Sequence, residues 1–485
     1  MTPGESFANL LFAQTWPFPR LAWKWILPLT MLLGLVLDLS GALHVYALSH
    51  LMSQRLSTAT AALLVALAAC WIILALNDQP QDSATLTSPG FSRLIIGLMI
   101  MAWLASLRNG LLLRSSQFSP LEAIAAASGL LLLGLAMLRP PPLIWLMAGA
   151  ALAGSGLRIS LWNSLPIVPA NGDMLPLVHS ALDNLLAGHS PYAIYRMPWD
   201  VPLTYLPLTW LAYAPPYLSG IDIRLSNLVA ELLIGLVLLR IAWKNRDQTG
   251  NSGCWQVPAL GLWAWFFLQP STLNWSLTTT APIQWLLLMV LLASILSPRP
   301  LLPVLALGLS SAASPLTAVV LPFVSLHWLR QLGWRRTVQH LLGGAAIALL
   351  CILPFALWSP QNFVFGTLRW FNDNDLYPRM RWEMDHTWAV MVGFSGIFWR
   401  HNLVEYLKIG QAFFIVYLAL VYWRAGAMAV PLFAFVVAAF LLFTVFNPVL
   451  WPYLYIPALL AALLASSFPA KMMQHPQKGA LNYAA

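Results

Sequence analysis

Apolar runs of about 20 residues, the length that crosses a bilayer, recur along most of the chain. They fall near residues 23–47, 57–76, 92–112, 121–138 and 142–161, and again near 223–243, 255–270, 279–297, 338–358, 403–423, 427–446 and 448–467. The run 301–329 is too long for one span. Its centre, Ser310-Ser311-Ala312-Ala313-Ser314-Pro315, is small and polar, which predicts two short helices meeting at a break. The pattern as a whole predicts an all-α polytopic membrane protein with about 12–14 transmembrane helices.

Two long polar stretches interrupt the series, 162–222 and 359–402. The first holds Asp173, Asp183, Asp200 and Asp222, four of the sixteen acidic residues. Read at about 100° per residue, its opening part sorts into two faces. Asp173, His179, Ser180, Asp183 and Asn184 share one, and Met174, Leu177, Val178, Ala181, Leu182, Leu185 and Leu186 share the other. Pro176 is tolerated in a first turn, and Gly188 is a natural C-terminal stop. This predicts an amphipathic helix lying at the bilayer surface. The plainer alternative is a loop helix that Asp173 merely caps. Further on, Leu203–Leu218 is apolar enough to span, but Pro207, Pro215 and Pro216 interrupt it. That predicts a second surface-lying or re-entrant segment.

Composition narrows the class. Hydrophobic residues make up 59% of the 485 and charged residues 8%, whereas a soluble globule carries about a quarter charged. The formal charge of +9 does not point to nucleic acid, because the basic residues are scattered singly between apolar blocks. Their placement reports orientation instead. With a cytoplasmic N-terminus, Arg139, the Arg240/Lys244/Arg246 cluster, Arg299, the Arg330/Arg335/Arg336 cluster, Arg424, Lys471 and Lys478 fall inside, and both polar stretches fall outside. Arg55, Arg114, Arg369, Arg379 and Arg381 go against the rule. The chain then divides into N-terminal helices (1–140), a second module (141–470) and a cytoplasmic tail (471–485), in a plasma or inner membrane. Cys70, Cys254 and Cys351 lack the spacing of a metal site or a disulfide framework.

In the second polar stretch Asp373, Asp375, Glu383 and Asp385 interleave with Arg369, Arg379 and Arg381, and with Trp370, Tyr377, Trp382 and Trp388. Aromatic faces beside carboxylates hold sugars, and tryptophans at a membrane surface also serve as interfacial anchors. The arginines suit either a phosphate or the neighbouring acids.

The run Asp173, Ala181-Leu182-Asp183-Asn184-Leu185-Leu186-Ala187-Gly188, Ser190-Pro191-Tyr192 and Tyr205-Leu206-Pro207-Leu208 resembles the first outer loop of GT-C fold glycosyltransferases, most nearly glycosyltransferase family 87. The resemblance continues at Ser314-Pro315 through Leu321-Pro322, and at Asn447-Pro448 with Trp451-Pro452-Tyr453, covering roughly 150–467. Where that family has Tyr-Pro-Pro this chain has Tyr205-Leu206-Pro207, and a basic residue before Ser314-Pro315 is absent. The resemblance implies a GT-C-like bundle with juxtamembrane amphipathic helices in the first outer loop. It also implies a polyprenyl-phosphate sugar donor of mannose type, a glycan or glycolipid acceptor, and Asp173 as catalytic base.

Such chemistry needs a carboxylate to deprotonate an acceptor hydroxyl and arginines to stabilise the departing phosphate, at the water–lipid boundary. Substrate-binding candidates are Asp183, His179, Tyr192, Tyr205, Arg158, Arg224, Arg369, Arg379 and Arg381. Asp183 lies too far along the helix to share a substrate atom with Asp173, and His179 suits a second base, an acceptor contact or neither. No cofactor is required, no metal-ligand spacing is present, and a divalent cation at Asp173 is compatible with the scheme. The competing readings are a transporter or flippase for a lipid-linked sugar, for which only Asp38 and Glu231 are placed deep enough, a surface polysaccharide polymerase or ligase, and a non-catalytic scaffold.

Overall fold

The computed structural model describes residues 26, 29–32, 50–76, 89–113, 120–138, 143–249, 256–295, 297, 299–377, 379–380, 392–425, 429–449 and 451–467. Most of the 23–47 run, the 471–485 tail and Arg381 lie outside them. The regular elements of the described chain are helices, apart from one two-stranded antiparallel hairpin.

Among the described residues, three helices are long and apolar enough to cross a membrane, Thr58–Leu76, Thr317–Trp358 and Glu405–Arg424. The second has 42 residues, about 63 Å at 1.5 Å per residue and twice a hydrocarbon core. It bends at Gly333, whose φ of 76° takes the backbone out of the helix. Its outer side and that of the third carry exposed Leu349, Leu350, Leu353, Leu357, Phe413, Val416 and Leu420, apolar surface of the kind that lipid covers. The Ala429–Val445 helix is the opposite case. Leu432 through Phe440 are all fully buried, and the helix packs on His50–Leu76, Ile456–Ser467, Glu405–Ala425 and Thr317–Trp358. A helix apolar on every side is a core helix.

Most apolar runs become helices near their expected bounds: Pro89–Leu113, Pro120–Leu138, Leu143–Trp162 and Leu225–Thr249. The run 301–329 does divide at Ser314, between Leu301–Ala313 and the helix that starts at Thr317. Two expected spans differ. The run 279–297 forms only Ala281–Ser294, and ahead of it stands a separate helix, Pro270–Thr278. The two meet at a bend of 117°. Residues 448–467 are helical only from Ile456, after a 3₁₀ turn at Pro452–Tyr455. Proline explains both, since it opens Pro270–Thr278, Ala281–Ser294 and the 3₁₀ turn and starts helices more readily than it continues them.

Leu203–Leu218 breaks at its prolines into Pro207–Leu211 and Ala214–Leu218, each of five residues. Neither is long enough to span. Thr209 and Trp210 are buried, and the Thr209 hydroxyl donates to the Ala313 carbonyl at 2.6 Å. The segment is therefore docked on the Ser314 break.

Candidate functional site

The Met174–Leu186 helix forms where the amphipathic pattern places it. Leu175, Leu177, Val178, Ala181 and Leu182 are buried, while His179 and Asp183 are exposed. Its apolar face does not rest on lipid, contrary to the expectation of a helix lying on the bilayer. It packs in a protein cluster with Tyr192, Val201, Leu203, Trp210, Tyr213 and Ile283. The proline-broken segment supplies enough apolar side chains to cover the stripe. At its far end Gly188, with φ 76°, sends its N–H to the Leu185 carbonyl, and His189 sends its own to Asn184. Those two bonds are the Schellman stop expected of that glycine.

Asp173 occupies the N-cap position of this helix, with φ −78° and ψ −19° and no side-chain cap hydrogen bond. Capping side chains act from an extended backbone, so capping does not account for this aspartate. Gly172 just before it has φ 152° and lies against Thr278: a Cβ there would stand 3.1 Å from the Thr278 carbonyl oxygen. Only glycine fits both the backbone angle and the approach.

Asp173 lines a small pocket of about 30 Å³ that opens to solvent. Met174, Leu177, Val201 and Thr204 contribute, but aromatic rings dominate: Trp199, Tyr205, Trp370, Phe371, Tyr377, Trp451 and Tyr453. The rings come from four parts of the chain. Trp199 sits in the turn between the strands Ile194–Arg196 and Asp200–Pro202. Trp370, Phe371 and Tyr377 follow the π-helical turn Phe365–Arg369, where a Cβ on Gly366 would meet the Leu203 carbonyl at 2.3 Å. Trp451 donates from Nε1 to the Tyr377 hydroxyl at 3.1 Å, and both Trp451 and Tyr453 make ring contacts with Trp275. Burial first and the charge of Asp173 second hold the Tyr205 hydroxyl well above its ordinary range, with Tyr453 and Tyr377 adding to the effect. Tyr205 therefore stays a hydrogen-bond donor at any neutral pH.

Of the catalytic and substrate-binding candidates named from sequence, Asp173 and Tyr205 line this pocket, as do Trp370, Tyr377, Trp451 and Tyr453, which the sequence singled out as aromatic and motif residues. Arg369 is 62% exposed, reaches Asp373 at 3.4 Å, and immediately precedes the pocket's Trp370 in the chain. Arg379 faces Asp375 at 3.7 Å. The structure takes five of the others elsewhere. Arg158, 1% exposed, gives Nε to Glu231 at 2.8 Å and Nη2 to the Phe267 carbonyl at 3.0 Å, and stacks on the Phe267 ring. Arg224 is clamped by Asp222 and donates to the Leu165 and Trp162 carbonyls at 2.6 and 2.9 Å. It staples the loop's entry to its exit. Tyr192 is buried, donates to the Tyr205 carbonyl at 2.8 Å and packs on Phe363. His179 and Asp183 form their own cluster, with Nδ1 to Oδ2 at 3.2 Å and the Tyr217 hydroxyl donating to Asp183.

Trp199, Thr204 and Phe371 were missed, since a single aromatic or threonine in a turn carries no sequence signal. Among the described residues no group of His, Cys, Asp and Glu is arranged to hold a metal ion. The chain matches no model of a known protein family and no curated protein.

Proposed function

We propose that this chain is a membrane-embedded glycosyltransferase of GT-C type, akin to glycosyltransferase family 87. It moves a hexose of mannose type from a polyprenyl phosphate to a hydroxyl of a glycan or glycolipid acceptor. The observation that carries the reading is the pocket itself: one carboxylate, Asp173, facing a space walled by seven aromatic side chains. Aromatic faces cover the apolar sides of a sugar ring, and the carboxylate reaches a hydroxyl. Of the motifs behind the resemblance, those at Asp173, Tyr205 and Trp451-Pro452-Tyr453 contribute to that one pocket, while Ser190-Pro191-Tyr192 and Ser314-Pro315 do not line it.

In this reading Asp173 takes the proton of the acceptor hydroxyl as its oxygen attacks the anomeric carbon. The bond from that carbon to the phosphate oxygen breaks, and polyprenyl phosphate leaves with the electron pair. Tyr205 donates a hydrogen bond within the pocket. Arg369 and Arg379 are the arginines at hand for the phosphate, with Arg381 beside them in sequence. Their partners Asp373 and Asp375 hold them by exposed pairs, worth about 0–1 kcal/mol, that a phosphate displaces. The transporter reading leans on Glu231, whose carboxylate is tied to Arg158 and Ser276. The basic residues favour an N-terminus in the cytoplasm and a pocket on the outer face of a plasma or inner membrane.

Asp173→Asn tests the assignment. Purified parent and variant are given labelled polyprenyl-phosphate mannose and an acceptor extract, with thermal stability measured alongside. Expected is a loss of transfer of about a hundredfold or more, the contribution of a positioned base, at a stability change well under about 1 kcal/mol. Full transfer by the variant removes Asp173 from the mechanism.

A further inference from the structure

The Pro270–Thr278 helix stands beneath the pocket and touches it from two sides. Its Thr278 lies against Gly172, the residue that sets the direction of Asp173. Its Trp275 lies against Trp451 and Tyr453, two of the pocket's walls, with ring centroids 6.3 and 5.1 Å away. Because it ends at the 117° bend before Ala281–Ser294, no continuing helix donates N–H groups to its last carbonyls.

Asn227 does that work. Fully buried in the Leu225–Thr249 helix, it spends both amide hydrogens on this end, donating to the Ser276 carbonyl at 2.7 Å and the Thr279 carbonyl at 2.8 Å. Its own oxygen accepts from the Tyr213 hydroxyl. One turn further along, Glu231 accepts from the Ser276 hydroxyl at 3.1 Å and is itself held by Arg158. Buried carbonyls left without donors would be costly in a low-dielectric interior. The bend therefore keeps its shape only while these donors stay in place.

We propose that Asn227 is a positioning residue for the pocket, fixing Asp173 and the Trp451–Tyr453 wall through the end of the Pro270–Thr278 helix. The inference rests on the reading of Asp173 as the pocket's working group, but its test does not depend on transfer. In a background with Cys70, Cys254 and Cys351 replaced by alanine, Asp173→Cys puts a thiol in the pocket, and Ser190→Cys puts one on the same loop away from it. Alkylation rates with iodoacetamide are compared with and without Asn227→Leu, and with and without the milder Tyr213→Phe, which keeps the ring and removes only the donor to Asn227. The expected result is a change of about fivefold or more at position 173 with Asn227→Leu and a smaller change in the same direction with Tyr213→Phe, while position 190 stays within twofold. Unchanged reactivity at 173 with either folded variant, or an equal change at 190, overturns the proposal. Should Asn227→Leu fail to fold, Tyr213→Phe decides by the same comparison. Loss of sugar transfer by Asp173→Asn concerns the catalytic reading alone.

Discussion

Two arginines that a phosphate-binding search selects, Arg158 and Arg224, turn out to be structural, and the physics separates them from Arg369. A guanidinium that is 1% exposed and gives four of its five N–H groups to a carboxylate and two carbonyls is out of a ligand's reach. Breaking such a pair leaves a buried charge, at about 3–5 kcal/mol. Arg158→Gln should therefore lower expression and melting temperature sharply, and Arg158→Met combined with Glu231→Leu should recover much of the loss in a thermal melt in detergent. Arg369→Gln should leave the melt alone and raise the lipid-donor KM about tenfold or more, the equivalent of about 1.5–3 kcal/mol for a charged hydrogen bond. At Tyr205 the sign of the pH effect is fixed. A phenol whose folded pKa lies above its ordinary value of 10 favours the fold fully below pH 10, and that contribution is lost as pH rises beyond it. The parent's melting temperature should fall more steeply above pH 10 than that of Tyr205→Phe.

The Met174–Leu186 helix was legible because its pattern is purely local: two faces at 100° per residue, a proline in the first turn, a glycine at the end. The pocket was half legible. Asp173 and Tyr205 lie on a stretch whose polarity stands out among apolar blocks, and Trp370 and Tyr377 lie on another. That the two meet, with Trp451 and Tyr453 between, depends on long-range packing that periodicity does not encode. The Pro270–Thr278 helix was hidden because most of its residues are polar and lie in the gap between the apolar runs 255–270 and 279–297. Covering the amphipathic stripe with protein was equally invisible, since lipid and a docked apolar segment demand the same side chains. At this scale Gly366→Ala is the informative change. Its Cβ would meet the Leu203 carbonyl at 2.3 Å and push the Trp370 segment off the pocket. A displacement of about 1 Å costs a catalyst roughly a hundredfold, so transfer should drop by that order while the apolar core and its melting temperature change little.

For the molecule as a whole, the proposed orientation rests on the basic cluster at Arg240–Lys244–Arg246 and on the break of Leu203–Leu218 into two short helices. Single cysteines at Thr249 and Ser190, probed on intact cells with a membrane-impermeant thiol reagent, should label at 190 and not at 249. The reverse pattern would invert the protein and move the pocket to the cytoplasmic face. The pocket also draws on distant parts of the chain, from Asp173 to Tyr453. During translation at about 5–20 residues per second, Asp173 leaves the ribosome some tens of seconds ahead of the last two rings. Under the proposed function, a nascent chain has its base long before it has all the walls to hold a sugar against it, so an unfinished copy in the membrane would neither trap donor nor waste it on water.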